Sequence, residues 1–358
     1  MRKDRPLDTA LSFDPYFGEP DRDGEQGFEI LPDGKVRIRI MAPNAEEVMI
    51  DRFGKQDLLT RVSDRMWEGI MDLGRGFQYF FLKIDGADVL SPYLPIGYGC
   101  CRPMNFLDIP VPGEDWDLLT DIPHGSVTRH YYFSSVTGKH EICLVYLPPS
   151  FDYARKYPVL YLQHGYGENE TGWIYQGHVG RIADRLLLEG KMREMIIVMG
   201  NGMAVSDESR QEFELFPRIL LEDLLPFIED RYPVRTDKWS RAMAGLSMGS
   251  FQTSLVTLLN PDLFGYAGLF SGFLRSPKPG AAPEKHLAIL DDAKRFAESF
   301  RVFYRAMGTE DLFFDHFEAD DALLQSKPVR MIRRTFPGGH DWSVWRRCIH
   351  DFLPMLFE

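Results

Sequence analysis

Cysteine is scarce in this sequence. There are four in 358 residues: the adjacent pair Cys100-Cys101, with Cys143 and Cys348 far away. That excludes a disulfide framework, and no short, repeated ligand spacing marks a metal site; reduced thiols and no metal or cofactor are expected. No apolar run reaches membrane-spanning length. The opening residues, Met1 to Leu11, carry basic side chains but lack the apolar core of a signal peptide. A cytoplasmic protein without a membrane partner is therefore expected, unless an export signal was cut away. Positive charge is also short. Lys and Arg number 41 against 53 Asp and Glu, a formal net charge of −12. That balance disfavours nucleic acid as a partner and offers an anionic polymer no general attraction.

What is present suits a soluble globular protein: 44% apolar and 26% charged residues, in a length that suggests two domains or one large domain with an appendage. Residues 1–24 are polar and punctuated by proline and glycine, as a loosely held arm would be. Residues 25–113 read as a small all-β sandwich. Strands are expected over 36–40, 47–50, 66–71 and 77–84, with turns at Pro32-Asp33-Gly34, Pro43-Asn44, Gly74-Arg75-Gly76 and Asp85-Gly86. Trp67 and Tyr79 would suit a sugar platform, but each lies in an alternating strand, where core packing is the better reading. A proline- and glycine-rich passage over 91–99 follows. Residues 114–121 form the linker, and its lack of a long Ser/Thr- or Pro-rich spacer suggests a domain that supports its neighbour more than one that ranges over polymer.

From residue 122 to 358 the pattern changes to alternating strands and helices. Strands are expected over 127–134, 142–147, 157–163, 195–199, 266–270, 301–307 and 329–335. Helices are expected over 180–188, 216–232 and 342–357, and Arg241-Ala-Met-Ala-Gly245 adds an apolar strand to the series. Repeated strand–helix units with nearly all-apolar strands imply an α/β fold, a mostly parallel sheet covered on both faces.

That strand ends in Gly245-Leu246-Ser247-Met248-Gly249, a G-x-S-x-G run, and 251–259 continues it with helical periodicity. The motif works only at a tight strand-to-helix turn, which lifts the serine hydroxyl above the sheet and over a helix N-terminus. Such a run also arises by chance as an exposed turn serine, so the flanking strand and helix carry the reading of Ser247 as nucleophile. A serine needs a base. His340 lies after the last expected strand, in a glycine-rich turn before the closing helix; His350, His286 and His316 sit in helical stretches. The base needs a carboxylate. Asp311 follows strand 301–307 through Gly308-Thr309, with Glu310 its immediate competitor and helix capping its rival role. Asp341 is adjacent to the base in sequence, which does not put its carboxylate behind the ring. The Met248 N–H, supplied by the elbow, is one oxyanion donor. The glycine-rich run at 165–167 has no G-K-[ST] and is no phosphate loop.

Taken with Leu162-Gln163-His164-Gly165-Tyr166-Gly167 through Trp173, Met307-Gly308-Thr309-Glu310-Asp311, and Pro337-Gly338-Gly339-His340-Asp341-Trp342, residues 122–358 resemble an α/β-hydrolase family. This is the esterase family of feruloyl esterases, acetylxylan esterases, enterochelin esterases and S-formylglutathione hydrolase, with the feruloyl esterases most similar. Ala42-Pro43-Asn44, Trp67 and the segment from Tyr79 to Asp85-Gly86 resemble the immunoglobulin-like domain that precedes some of these catalytic domains. Related chains often carry Asp-Pro where this one has Ser91-Pro92. The resemblance implies the chain order Ser247, Asp311, His340, favours Asp311 over Glu310, and implies the Tyr166 N–H as second oxyanion donor; Gly165 and Gly167 would let the loop turn its amides inward, with Gly165 expected against the substrate.

Trp173, Met203, Phe273, Trp342 and Trp345 fall near strand ends, where they would wall a pocket for an aromatic acyl group or fill the core. The loop over 276–283 is expected at the mouth. The expected function is a serine carboxylesterase acting on an ester-bearing small molecule or oligosaccharide, releasing ferulate or a related hydroxycinnamate from plant cell-wall carbohydrate. Alternatives are an acetylxylan or other carbohydrate acetyl esterase, or an enterochelin-type siderophore esterase, which a small cationic hole would favour, though the sequence does not place Arg241 or Arg275 in one. Acyl transfer in a water-shielded site and an inactive carbohydrate-binding protein are the others.

Overall fold

The structure, a computed structural model, describes residues 26–204, 212–275 and 284–358. The arm expected over 1–24 and the loop expected over 276–283 lie outside the described residues. The chain divides into two compact units, Met1–Asp115 and Trp116–Glu358, so the stretch read as a linker mostly belongs to the second.

The first unit is all β: β1 Gly27–Ile30, β2 Val36–Met41, β3 Val48–Arg52, β4 Lys55–Leu58, β5 Thr60–Arg61, β6 Met66–Met71, β7 Gly76–Ile84, β8 Ala87–Val89, β9 Ile96–Gly99 and β10 Arg102–Ile109. One sheet runs β1-β2-β6-β5; the other runs β4-β3-β7-β10-β9, with β8 on β7. Strand alternation builds the core between them. Val36, Ile38 and Ile40 of β2 point inward with Trp67, against Ile50, Phe80, Leu82 and Leu107 of the second sheet. On the outer face of β2, Arg37 and Arg39 pair with Glu29 and Glu68. The Trp67 indole N–H donates to the Ala42 carbonyl at 3.0 Å, and the half-buried Tyr79 hydroxyl donates to the Tyr98 carbonyl at 3.0 Å. The passage over 91–99 ends in β9 instead of remaining irregular. Buried Asn105 pins it: its side chain accepts from the Ser91 N–H and donates to the carbonyls of Ser91, Leu94 and Pro95.

The second unit has eight strands: β11 Ser126–Ser134, β12 Lys139–Leu147, β13 Val159–Gln163, β14 Ile196–Gly200, β15 Arg241–Leu246, β16 Tyr266–Phe270, β17 Val302–Gly308 and β18 Ile332–Phe336. Their order is β11-β12-β14-β13-β15-β16-β17-β18. Strand β12 is antiparallel to both neighbours, and every pair from β14 to β18 is parallel. The helices are α1 Gly172–Tyr175, α2 Val179–Leu188, α3 Glu212–Ile219, α4 Leu225–Arg231, α5 Met248–Leu259, α6 Ala293–Ser299, α7 Phe314–Gln325 and α8 Trp342–Phe352. Strands β13 to β16 are buried along their whole length, which is why they read as nearly all-apolar runs, with Gln163 and Arg241 the exceptions.

Two helices differ from expectation. The run over 216–232 begins earlier and is split by a π-helical turn, Leu220–Leu224, between α3 and α4. Pro217 and Pro226 lack N–H donors, and the wider turn fits where the regular ladder is interrupted. Helix α8 ends at Phe352, followed by a 3-10 turn at Leu353–Met355 containing Pro354. Because β13, β15, β17 and β18 are parallel, their C-terminal ends open on one edge of the sheet, where a doubly covered α/β fold places its chemistry.

Candidate active site

Three of those strand ends carry the three polar side chains that the sequence singled out. Ser247 stands between β15 and α5 with φ +49° and ψ −115°, a strained conformation that projects the hydroxyl from the turn. Its N–H donates to the Phe270 carbonyl at 2.9 Å, tying the elbow to β16. The two glycines are sterically required. A Cβ on Gly245 would lie 2.5 Å from the Gly249 backbone, and one on Gly249 would lie 2.5 Å from the His164 carbonyl oxygen.

His340 Nε2 lies 3.0 Å from Ser247 Oγ, and His340 Nδ1 lies 2.9 and 3.1 Å from the Asp311 carboxylate oxygens. Nδ1 facing a carboxylate carries the proton, which leaves Nε2 to accept from the serine. Asp311 is buried and also accepts from the Phe313 N–H at 2.9 Å. Burial works to raise its pKa, but the His340 hydrogen bond and charge and the Phe313 N–H outweigh it, leaving the pKa below the ordinary aspartate value. Glu310 is exposed; its N–H instead donates to the Gly338 carbonyl, joining the turn after β17 to the turn after β18. Gly308 passes so close to that turn that a Cβ would sit 2.3 Å from the Gly338 carbonyl oxygen. Asp341 accepts from the N–H groups of Gly339 and Val344 and so caps α8. The His340 ring packs edge-on between Phe313 and Trp345, with centroids 5.1 and 5.2 Å away.

The loop after β13 runs beside the elbow: a Cβ on Gly165 would meet the Leu246 side chain at 2.6 Å and Ser247 Cβ at 3.4 Å. His164 anchors this loop. Its Nδ1 bonds the Gly165 carbonyl at 2.8 Å and its Nε2 accepts from the Gly202 N–H at 2.9 Å. Burial pushes its pKa down to about 4, so the ring is neutral. Met248 is the first residue of α5, where backbone N–H groups lack intrahelical partners. Tyr166 projects its side chain to solvent, 57% exposed.

The proposed walls divide. Met203 is half-buried. Trp173 and Trp342, 1% and 2% exposed, are core residues and not walls. Their rings meet edge-on at 5.3 Å, and Trp173 donates to the Gln163 carbonyl. Phe273 is buried too and packs against Phe313. Trp345 is buried against His340. Phe273 and Trp345 thus back the site from within, through Phe313 and His340. Arg241 is buried and paired with Glu229, and Arg275 is paired with Asp320, so neither supplies an uncommitted cationic hole. Sequence reasoning missed Phe313 and His164. The Gln163-His164 pair at the end of an otherwise apolar strand was the available signal for His164.

Strand order, elbow and site geometry define an α/β-hydrolase with an all-β unit before it. A family model described as "Putative esterase" matches residues 134–356. The chain belongs to that esterase family and is accordingly a carboxylic ester hydrolase. It is 31% identical, over 99% of its length, to an endo-1,4-beta-xylanase/feruloyl esterase of Xylanibacter ruminicola, and it spans about half (49%) of that relative. A solved ferulic acid esterase is 28% identical, with a TM-score of 0.57, over 64% of this chain and 97% of that one. The enterobactin esterase FES of Shigella flexneri is 16% identical and shares the fold over 91% of this chain and 95% of its own, with a TM-score of 0.67.

Proposed function

We propose that the chain hydrolyses hydroxycinnamoyl esters, feruloyl esters above all, of plant cell-wall oligosaccharides through an acyl-enzyme on Ser247. The observation that carries the mechanism is the unbroken hydrogen-bonded line Ser247–His340–Asp311. Ser247 Oγ attacks the ester carbonyl as His340 Nε2 takes its proton. Asp311 holds the ring's tautomer and stabilises the imidazolium. The Met248 and Tyr166 N–H groups receive the developing oxyanion. His340 then protonates the departing sugar hydroxyl, and the same nitrogen deprotonates the water that releases the acid and restores Ser247. The feruloyl preference rests on likeness to the named relatives, with Phe313 beside the base as an aromatic partner for the acyl ring.

The burial of Trp173, Trp342 and Phe273 favours one second reading, an acyl group as small as acetyl, because fewer aromatic faces remain to receive a cinnamoyl ring. Specificity constants for methyl ferulate, acetylated xylo-oligosaccharide, a catechol-siderophore ester and a short-chain aryl ester decide between them. Feruloyl hydrolysis predicts methyl ferulate well ahead of the acetylated oligosaccharide. The opposite order would transfer the assignment to the acetyl esterases.

A further inference from the structure

The loop that carries Gly165 and Tyr166 continues to Glu168, a residue only 8% exposed. Its Oε1 accepts from the Trp342 indole N–H at 3.3 Å, and its Oε2 accepts from the Gln176 side-chain amide at 2.9 Å. Trp342 opens α8 two residues beyond His340. One buried carboxyl group thus joins the loop beside the nucleophile to the helix that follows the base. Gln176 continues the connection: its main-chain carbonyl accepts from Arg346 Nε at 2.7 Å, also on α8. Arg346 is itself buried; its Nη1 donates to Asp117 Oδ2 at 3.0 Å, and its Nη2 lies 3.4 Å from His178 Nε2. The packing around these groups is tight. A Cβ on Gly172 would lie 3.2 Å from the Trp342 ring and 3.3 Å from Glu168 Oε2, and one on Gly177 would lie 2.9 Å from the Trp342 ring.

We infer that Glu168 is a positioning residue for the reaction, fixing the loop that presents the Tyr166 N–H against the segment that presents His340. Gln176, Arg346 and Asp117 hold it in place from the other side. This inference rests on the reading of Ser247 as nucleophile. The chemistry that makes it consequential is that an oxyanion donor is effective only when its N–H is aimed before the charge develops; a loop displaced by a fraction of an ångström loses transition-state binding while still admitting substrate. Glu168 touches no reacting atom. Its loss should therefore lower kcat and leave KM nearly unchanged.

The test uses the full chain with Glu168→Leu and the milder Glu168→Gln, which keeps one oxygen acceptor. The readouts are kcat and KM for a short-chain aryl ester, inhibition by phenylboronic acid as a tetrahedral serine adduct, and inhibition by ferulate as a ground-state ligand. The expected result is a fall in kcat of roughly 100-fold for Leu and about tenfold for Gln. Boronate affinity should fall in parallel, with KM and ferulate affinity within threefold. A lower melting temperature with kcat and boronate affinity unchanged would reduce Glu168 to a structural residue and overturn the inference. Where Glu168→Leu does not fold, Glu168→Gln decides alone: parental kcat and boronate affinity sink the proposal. A Ser247→Ala control separates the two failures. Parental activity in that control defeats the nucleophile reading itself, whereas a dead control with an unaffected Glu168 variant defeats only the positioning role.

Discussion

The two units differ most in what they bury. Among the described residues the first unit encloses one charged side chain, Asp51, while the second encloses twelve acids, bases and histidines. The second unit is about twice as long, so size explains only a small part of the contrast. In the first unit, polar groups close structure: Asp51 accepts from the Gly54 N–H in a hairpin turn, and Asn105 satisfies the backbone of 91–95. In the second, Asp311, His164, Glu168 and Arg346 gather around the ends of β13, β15, β17 and α8. Buried charge is costly unless it is paired. Several of the second unit's buried charged groups therefore lie beside the turn that carries Ser247, whereas the first unit's polar groups close turns and backbone.

That contrast breaks first, and hardest, at the acid. Asp311→Asn should lower kcat by roughly 10³-fold or more, because the imidazole loses the partner that fixes its tautomer. Glu310→Gln, one residue away and exposed, should stay within twofold. Steady-state kinetics of the pair checks this, and the reverse ranking would move the acid to Glu310.

His164 sharpens the comparison through pH. Folded His164 takes its proton only near pH 4, whereas the unfolded chain takes it near 6.5. Between those values the unfolded state binds more protons, so this group's stabilisation is complete above about pH 6.5 and is lost as pH falls towards 4. The loss is about 3 kcal/mol. Urea unfolding at pH 7 and at pH 4.5 should show the difference, and His164→Gln should flatten it by most of that amount. An equally steep acid limb in the variant would mean that His164 is not the group responsible.

The smallest effect belongs to the first unit. Asn105→Ala removes the acceptor of the buried Ser91 N–H and the donor to the Leu94 carbonyl, while the Ser91 and Pro95 carbonyls keep the Leu94 and Phe106 N–H groups; the loss should cost about 2 kcal/mol. Denaturant unfolding measures that cost. Turnover of a small aryl ester should remain within twofold, and a larger loss of activity would mean that the first unit contributes to the chemistry.

Much of the architecture was legible because its signals are local. The turn at Ser247 announces itself through two glycines whose Cβ atoms could not fit, and the parallel sheet through strands apolar on both faces. Ser247 and His340 could be singled out because each follows a strand in a short turn, whereas Asp311 was separated from Glu310 in the same turn only by the family pattern. The burial of Trp173 and Trp342 was not legible: an aromatic residue near a strand end looks the same whether it faces solvent or the underside of a helix. The first unit's short strands β4, β5 and β8 escaped for a related reason, since they are mostly exposed and carry little apolar alternation. The Glu168–Trp342 and Arg346–Asp117 contacts join residues 174 and 229 positions apart, and no pattern along the chain encodes such distances.

The central claim is that Ser247 carries the acyl group. Its most direct measurement is mass spectrometry of the peptide containing Ser247 after millisecond quenching of the full chain with an activated hydroxycinnamoyl ester. The account predicts one added hydroxycinnamoyl group on that peptide. It should form no more slowly than steady-state turnover and be absent from Ser247→Ala, which should also lose roughly 10⁴-fold or more in activity. An adduct on another residue, or turnover in Ser247→Ala within tenfold of the parent, would contradict it.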